Sequence, residues 1–377
     1  MRRTTEVIAE LLPLPGRSLL EVGCGEGALL GWLRRRGATA FGLEVELARL
    51  ERARAALGCE GLAAGVGEAL PFAEAVLDAV LYHNSFHHLP LARQTEALVE
   101  VARVLRPTGR LLVLEPLAED EYFELVRPLE DETAIRAAAL AALGRAEALG
   151  FAPVARDRYV QLVQRRSLEE LLAALVAADP ARKARLREAR SAIEAAYSRL
   201  GSPAPEGRVF RQPMLALCLE RRAEGPVIAI ARTAEERRAA LDLRIAVFVR
   251  EQGVPLEEEV DGLDEQCEHV IARFDRAIVG CLRWRRVGAQ GAVKIERVAV
   301  RADRRGRGIA RAMLAWCLAR LDGMGLGPAI VNAQLPVSGL YAGLGFLAEG
   351  EIFDEAGIPH RRMVRPAIEP HVDMSGD

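Results

Sequence analysis

At 377 residues, half of them hydrophobic, the chain is long enough for two ordinary domains, each with a sizeable core. Its 51 lysines and arginines nearly balance 53 aspartates and glutamates, and the net charge of −2 gives no electrostatic reason to expect nucleic acid or an anionic membrane as partner. The six cysteines (Cys24, Cys59, Cys218, Cys267, Cys281, Cys317) are scattered without a C-x-x-C pair, which argues against a disulfide scaffold or a zinc site and for a reducing, cytoplasmic setting.

The opening segment carries Glu6 and Glu10 and is broken at Pro13, so it lacks the uninterrupted apolar stretch of a signal peptide. No run approaches the roughly eighteen apolar residues of a membrane span. From Ser18 to Leu114, short apolar runs alternate with helical periodicity. Leu19–Val22, Ala38–Leu43, Gly61–Ala64, Ala79–Tyr82 and Arg110–Leu114 are predicted strands, and residues 26–36, 46–57 and 91–105 the helices between them. Such alternation implies a parallel sheet with helices on both faces.

Residues 119–149 and 168–200 are helix-periodic insertions around a predicted strand at Phe151–Gln164, and Val209–Glu220 reads as the closing strand. The charged, turn-forming stretch Arg221–Pro226 reads as a linker. A fresh strand begins at Val227, and an α+β pattern runs to about Arg365. The expected division is therefore 1–222, 227–366 and a flexible polar tail, 367–377.

The first half carries Glu21-Val22-Gly23-Cys24-Gly25-Glu26-Gly27 between a strand and a helix, where glycines let a cofactor approach the backbone. Glu21 is placed to meet an ammonium group, and Glu44, at the end of the second strand, to hold two ribose hydroxyls. A dinucleotide-binding loop uses a similar glycine pattern. Downstream come Gly65–Phe72, His87-His88-Leu89-Pro90 and Arg103–Leu111. In this order the segments resemble class I SAM-dependent methyltransferases, of Rossmann-like, seven-stranded α/β fold. The resemblance implies that Glu21, Gly23, Cys24, Gly25 and Gly27 face the methionine part of SAM, that Glu44 grips the ribose, and that Glu68 and Ala69 lie at the adenine edge. This sequence has Val66 where relatives often have an acid, and Thr108 where they have a second glycine. His83, just past the fourth strand, is the candidate general base. His87 and His88 are expected to structure their loop; Arg127, Arg136 and Tyr159 are candidates to line the acceptor pocket, with packing or surface roles the first expectation.

In the second half, the strand Ile295–Val300 is followed by Arg305-Gly306-Arg307-Gly308-Ile309-Ala310 and a helix from Arg311. Backbone N–H groups and the helix dipole at such a start favour an anion, and two glycines keep side chains clear of it. Tyr341-Ala342-Gly343-Leu344-Gly345-Phe346, the series Arg244–Pro255, the polar run Glu259–His269 and Ala356–Met363 complete the pattern. Together they are similar to the ElaA-type branch of GNAT N-acetyltransferases, an α+β fold. The resemblance implies that Val298 and Val300 pair with the pantetheine arm of acetyl-CoA. Arg305, Gly306, Arg307, Gly308, Ile309, Ala310 and Arg311 would hold its pyrophosphate, and Tyr341 would protonate the departing thiolate. Glu296, His269 and His360 are candidate bases, with Glu296 foremost. Asp261, Asp264 and His269 read as a pocket-lining polar loop, and no metal site is expected in either half.

The expectation is a bifunctional transferase acting on small molecules, using SAM and acetyl-CoA. The alternative is one active acetyltransferase whose methyltransferase-like half senses a ligand or serves as a scaffold.

Overall fold

The computed structural model describes residues 1–178, 182–222, 225–274, 277–288 and 291–367. It divides into two compact units. The first comprises Met1–Leu91, Val104–Gly144 and Ala152–Arg221; the second comprises Ala92–Arg103, Arg145–Phe151 and the chain from Arg222 onward. The two short segments grouped with the second unit are not anticipated by a division along the sequence. Two residues of the expected linker, 223 and 224, and the expected tail from 368 on lie outside the described residues.

In the first unit α1 (Thr4–Leu11) leads into β1 (Ser18–Val22), α2 (Ala28–Arg35), β2 (Thr39–Glu44), α3 (Leu47–Leu57), β3 (Leu62–Ala64) and β4 (Leu77–His83). After α4 (Gln94–Val104), which up to Arg103 groups with the second unit, come β5 (Leu105–Pro116), α5 (Asp120–Val126), α6 (Thr133–Gly144), β6 (Phe151–Arg165), α7 (Leu168–Ala178), α8 (Arg182–Arg199), β7 (Ser202–Ala204) and β8 (Gly207–Arg221). The strand order is β3-β2-β1-β4-β5-β8-β6, with β7 paired to β8. The sheet thus has the seven expected strands and an eighth, three-residue one. β1, β2, β4 and β5 run parallel, and β8 is antiparallel to β5. Burial on both faces explains why the parallel strands read as apolar runs rather than alternating ones. Leu19, Leu30, Leu50, Leu81 and Leu112 share the main core.

β1 lies between β2 and β4, so the chain leaves it in opposite directions. Ligands of open α/β sheets bind beyond the carboxyl ends of the strands at such a switch point. The helix-periodic insertion over 119–149 contains two helices, α5 and α6, parted at Pro128, which cannot continue a helix. Leu125, Leu171, Ile193 and Phe210 form a separate small core for the inserted helices.

The second unit runs β9 (Val227–Ile230), α9 (Ala234–Arg244), a π-helical turn (Ile245–Glu251), α10 (Leu256–Glu259), β10 (Glu268–Phe274), β11 (Ala277–Arg286) and β12 (Val293–Val300). α11 (Ile309–Gly323), β13 (Ala329–Gln334), α12 (Ser338–Ala342), β14 (Leu347–Glu355) and β15 (Ile358–Arg365) follow. α9 starts with a capping box. The Glu236 N–H donates to Thr233 Oγ1, and the Thr233 N–H donates to the Glu236 carboxylate, each at 3.1 Å.

The sheet order is β14-β15-β13-β12-β11-β10-β9. Its central pair, β12 and β13, runs parallel but is joined only at Val293–Ala329 and Lys294–Ile330. Beyond that point the two strands part. α11 is buried along Ile309, Met313, Leu314, Trp316 and Cys317, which fixes its first turn beside the gap. Among the described residues, no helix is long and apolar enough to cross a membrane.

Candidate active sites

In the first unit Gly23, Gly25 and Gly27 all have left-handed backbones, with φ of 76°, 55° and 83°. A β-carbon on Gly23 would also stand 2.6 Å from that of Ser85. The loop is fastened by backbone bonds from Gly23 and Cys24 to the Leu43 carbonyl, and by Ser85 Oγ donating to the Val22 carbonyl at 2.6 Å.

Glu44 is 5% exposed and belongs to this scaffold as much as to a ligand. It accepts from the Gly25 N–H at 2.7 Å on one oxygen and from Val45 and Glu46 at 2.9 Å on the other. The first oxygen keeps one lone pair for another donor.

Glu21 differs in leaving one carboxyl oxygen unpartnered. It is 3% exposed, and Oε2 has no hydrogen-bond partner. Burial, reinforced by the charge of Glu44, pushes its carboxyl up to about 8. An orphaned buried carboxylate oxygen beside a glycine loop fits a cationic group such as an ammonium. The Cys24 thiol, raised to about 12 by burial and by the two glutamates, stays protonated.

Gly67 packs against Val22 and the Tyr82 hydroxyl, which brings its neighbours Glu68 and Ala69 to the ends of β1 and β4. Val66 is 39% exposed. Thr108 has φ 62°, a conformation that favours glycine and accounts for the glycine of relatives there.

A cavity of about 510 Å³ has Asn84, the neighbour of Ser85, in its wall, but no residue of the glycine loop. His83 does not line it. Burial lowers its affinity for a proton despite the nearby Glu115 carboxylate, and its Nε2 is buried without a hydrogen bond. The histidines that reach the cavity are His87 and His88.

Arg136, expected in a packing or surface role, also lines the cavity. It is buried and bonded to Glu132 Oε2 at 2.5 and 3.0 Å. Tyr159 does pack in the core, bonded to Thr4, and Arg127 is an exposed partner of Glu124 and Asp131.

In the second unit a cavity of about 520 Å³ lies where β12 and β13 part. Its wall takes in Glu296–Val300 from β12, the start of α11, and Tyr341 and His360. Gly306 and Gly308 have φ of 74° and 75°, which a side chain would strain. With the dipole of the fifteen-residue α11 behind them, their amides fit an anion such as a pyrophosphate.

Arg305, Gly306, Gly308, Ile309, Ala310 and Arg311 line the cavity; Arg307 does not. Arg305 is latched: its guanidinium holds both Glu251 oxygens and the Val300 carbonyl. Its role is to order the loop at least as much as to meet an anion.

Tyr341 is 6% exposed, edge-on to Phe346 at 5.8 Å, and burial raises its hydroxyl to about 12. It is a proton donor at neutral pH. Glu296, expected as foremost base, is paired with Lys294 at 2.9 Å and with Arg283 and Arg285 at 3.4 Å. Burial opposes its charge, yet these cations hold the carboxyl below its usual range, and such a group takes protons poorly.

His269 is not in the cavity wall and bonds the Asp264 carbonyl. Asp261 and Asp264 do not form a pocket-lining loop either. They pair with the fully buried Arg283, and Asp264 also with Arg244. His360 does line the cavity. Its Nδ1 lies 2.8 Å from the Ile358 carbonyl and must donate, so Nε2 carries the free lone pair.

Residues 20–113 match the methyltransferase domain family, and residues 236–366 the acetyltransferase (GNAT) domain family. The uncharacterized N-acetyltransferase YjcF of Bacillus subtilis is 37% identical over 139 residues, which are 36% of this chain and 96% of that protein. The methyltransferase GfsG of Streptomyces halstedii is 37% identical over 121 residues, 30% of this chain and only 43% of that protein. A solved acyl-CoA N-acyltransferase from Pseudomonas aeruginosa shares 31% identity, with 37% of this chain and 99% of that one covered at a TM-score of 0.34.

Proposed function

We propose, for a chain that belongs to the GNAT acetyltransferases through its C-terminal part and carries a methyltransferase domain before it, that it catalyses two transfers. One moves a methyl group from SAM to a small molecule, the other an acetyl group from acetyl-CoA to an amine. The observation that carries this reading is that each unit holds a glycine loop with left-handed backbone at the end of a strand, and a cavity of its own, about 510 and 520 Å³. Sites of that size hold small molecules.

In the first unit Glu21 would meet the ammonium of SAM and Glu44, through its remaining lone pair, the ribose. SAM supplies a methyl group activated on a sulfonium. The chain's own part is to hold the acceptor in line with it, and positioning alone supplies much of such a rate.

In the second unit the amides of Gly306 and Gly308 would hold the pyrophosphate, and β12 the pantetheine arm as an added strand. Acetyl-CoA supplies an acyl group activated as a thioester. His360 Nε2 takes the proton that the attacking amine loses as its nitrogen bonds to the acetyl carbon. Tyr341 gives its proton to the departing sulfur.

Calorimetric titration with SAM and with acetyl-CoA tests both halves, and a cofactor that does not bind removes its reaction. Glu44→Ala is expected to abolish SAM binding and methylation while acetyl transfer persists. If methyl transfer is absent from the wild-type chain although SAM binds, the first unit is a ligand sensor instead.

A further inference from the structure

His87, His88 and Glu132 meet in the wall of the first cavity, their three potential ligand atoms all within 4.8 Å of one another. The histidines are adjacent in a short 3-10 turn with ring centres 4.0 Å apart, and Glu132 comes from just before α6, far along the chain.

His87 is locked in orientation by Glu115, at the end of β5. One Glu115 oxygen accepts from the Phe86 N–H at 2.9 Å, and the other meets His87 Nδ1. If Nδ1 carries the hydrogen that this contact requires, His87 Nε2 is a bare lone pair. Yet Nε2 faces another acceptor, Glu132 Oε2, at 3.9 Å, with both side chains largely buried. Arg136 already bonds that oxygen, and the His87 Nε2 lone pair beside it is the donor left for a further cation.

We propose that His87 Nε2, His88 and Glu132 bind a divalent first-row transition-metal ion in this cavity. Two imidazoles and one carboxylate are a donor set that such ions favour, and Glu115 behind His87 is the carboxylate that typically orients a metal-bound histidine. Ligand atoms bound at about 2.1 Å stand roughly 3 Å apart, so the cluster must contract by about an ångström. His88 is the exposed member of the three, so the contraction falls to its ring.

Arg136, bonded to Glu132, offsets one carboxylate, which leaves the occupied cluster with net positive charge. An ionised oxygen of the methyl acceptor would balance it. The ion thus takes an oxygen acceptor, a hydroxyl or phenol, bonds it at an open position and releases its proton to solvent before the methyl group arrives. This last consequence rests on the cavity being the acceptor site; the binding of the ion does not.

The full chain, stripped with a chelator, is titrated with Co²⁺ and followed by visible absorption, and with Zn²⁺ by calorimetry. We expect saturation at one ion per chain. Affinity should fall at least tenfold in His88→Ala and Glu132→Gln, and by about 10- to 100-fold in Glu115→Gln. Unchanged SAM affinity in His88→Ala shows that the cradle is intact.

Absence of saturable Co²⁺ absorption overturns the proposal. Equal affinity in wild type and His88→Ala overturns it by placing the ion elsewhere. Saturable, His88-dependent Co²⁺ binding in a chain that fails to bind SAM upholds the metal site and removes the methyltransferase reading instead.

Discussion

Glu21 is a carboxyl whose native affinity for protons is far above its unfolded one, and two consequences follow from the sign. Between pH 4.5 and about 8 the native chain holds a proton that the unfolded chain has lost. Stability without ligand should therefore fall as pH rises through that window, by a few kcal/mol in total. Urea unfolding at a series of pH values checks this, and Glu21→Gln should flatten the slope. If an ammonium binds there, the carboxyl must ionise. SAM binding at pH 7 should then release about one proton, read by calorimetry in buffers of different ionisation enthalpy, and none in Glu21→Gln. For Tyr341, removal of the hydroxyl leaves the ring packed on Phe346. Tyr341→Phe should lower kcat for acetyl transfer about 100-fold or more with KM for acetyl-CoA nearly unchanged. A large rise in KM alone would assign the tyrosine to binding.

Among the elements, the strands of the first unit were legible because burial on both faces gives unbroken apolar runs bounded by glycine and polar turns. The break between α5 and α6 was available in Pro128 but hidden by apolar periodicity on both sides. The polar run Glu259–His269 was recognisable as a motif and misread in its purpose. Its acids pair with Arg244 and Arg283, which are 1% and 0% exposed and far away in sequence. Asp264 serves both arginines at once, and they hold its carboxyl low against the opposing effect of burial. Asp264→Ala leaves two buried guanidiniums short of a partner and should cost about 3 kcal/mol, measured as a shift in the denaturant midpoint. A loss below about 0.5 kcal/mol would show that the remaining acids take over its role.

At the scale of the whole molecule, both glycine loops were readable from sequence. A glycine loop and the helix after it are contiguous, and their physics is local. The residues around each reaction were not. His83 gave way to His87 and His88, and Glu296 proved to be tied up by Lys294 and two arginines. Glu115 carried a signal, an acid at the carboxyl end of a parallel strand, where such sheets place their ligands. Glu132 carried none, since only the path of the inserted segment brings it to the cavity.

The parting of β12 from β13 also bears on how the backbone of the chain exchanges its hydrogens with water. From Ile295 to Val300 one side of β12 has β11 as neighbour, and the other has no strand. Amides on that open side belong to a strand at the centre of its sheet, yet they should exchange at the rate of a sheet edge. Acetyl-CoA should protect them and leave the β11-facing amides as slow as before. A deuterium-uptake map of the entire chain would then show a short fast patch inside an otherwise protected core, extinguished by one ligand and untouched by the other.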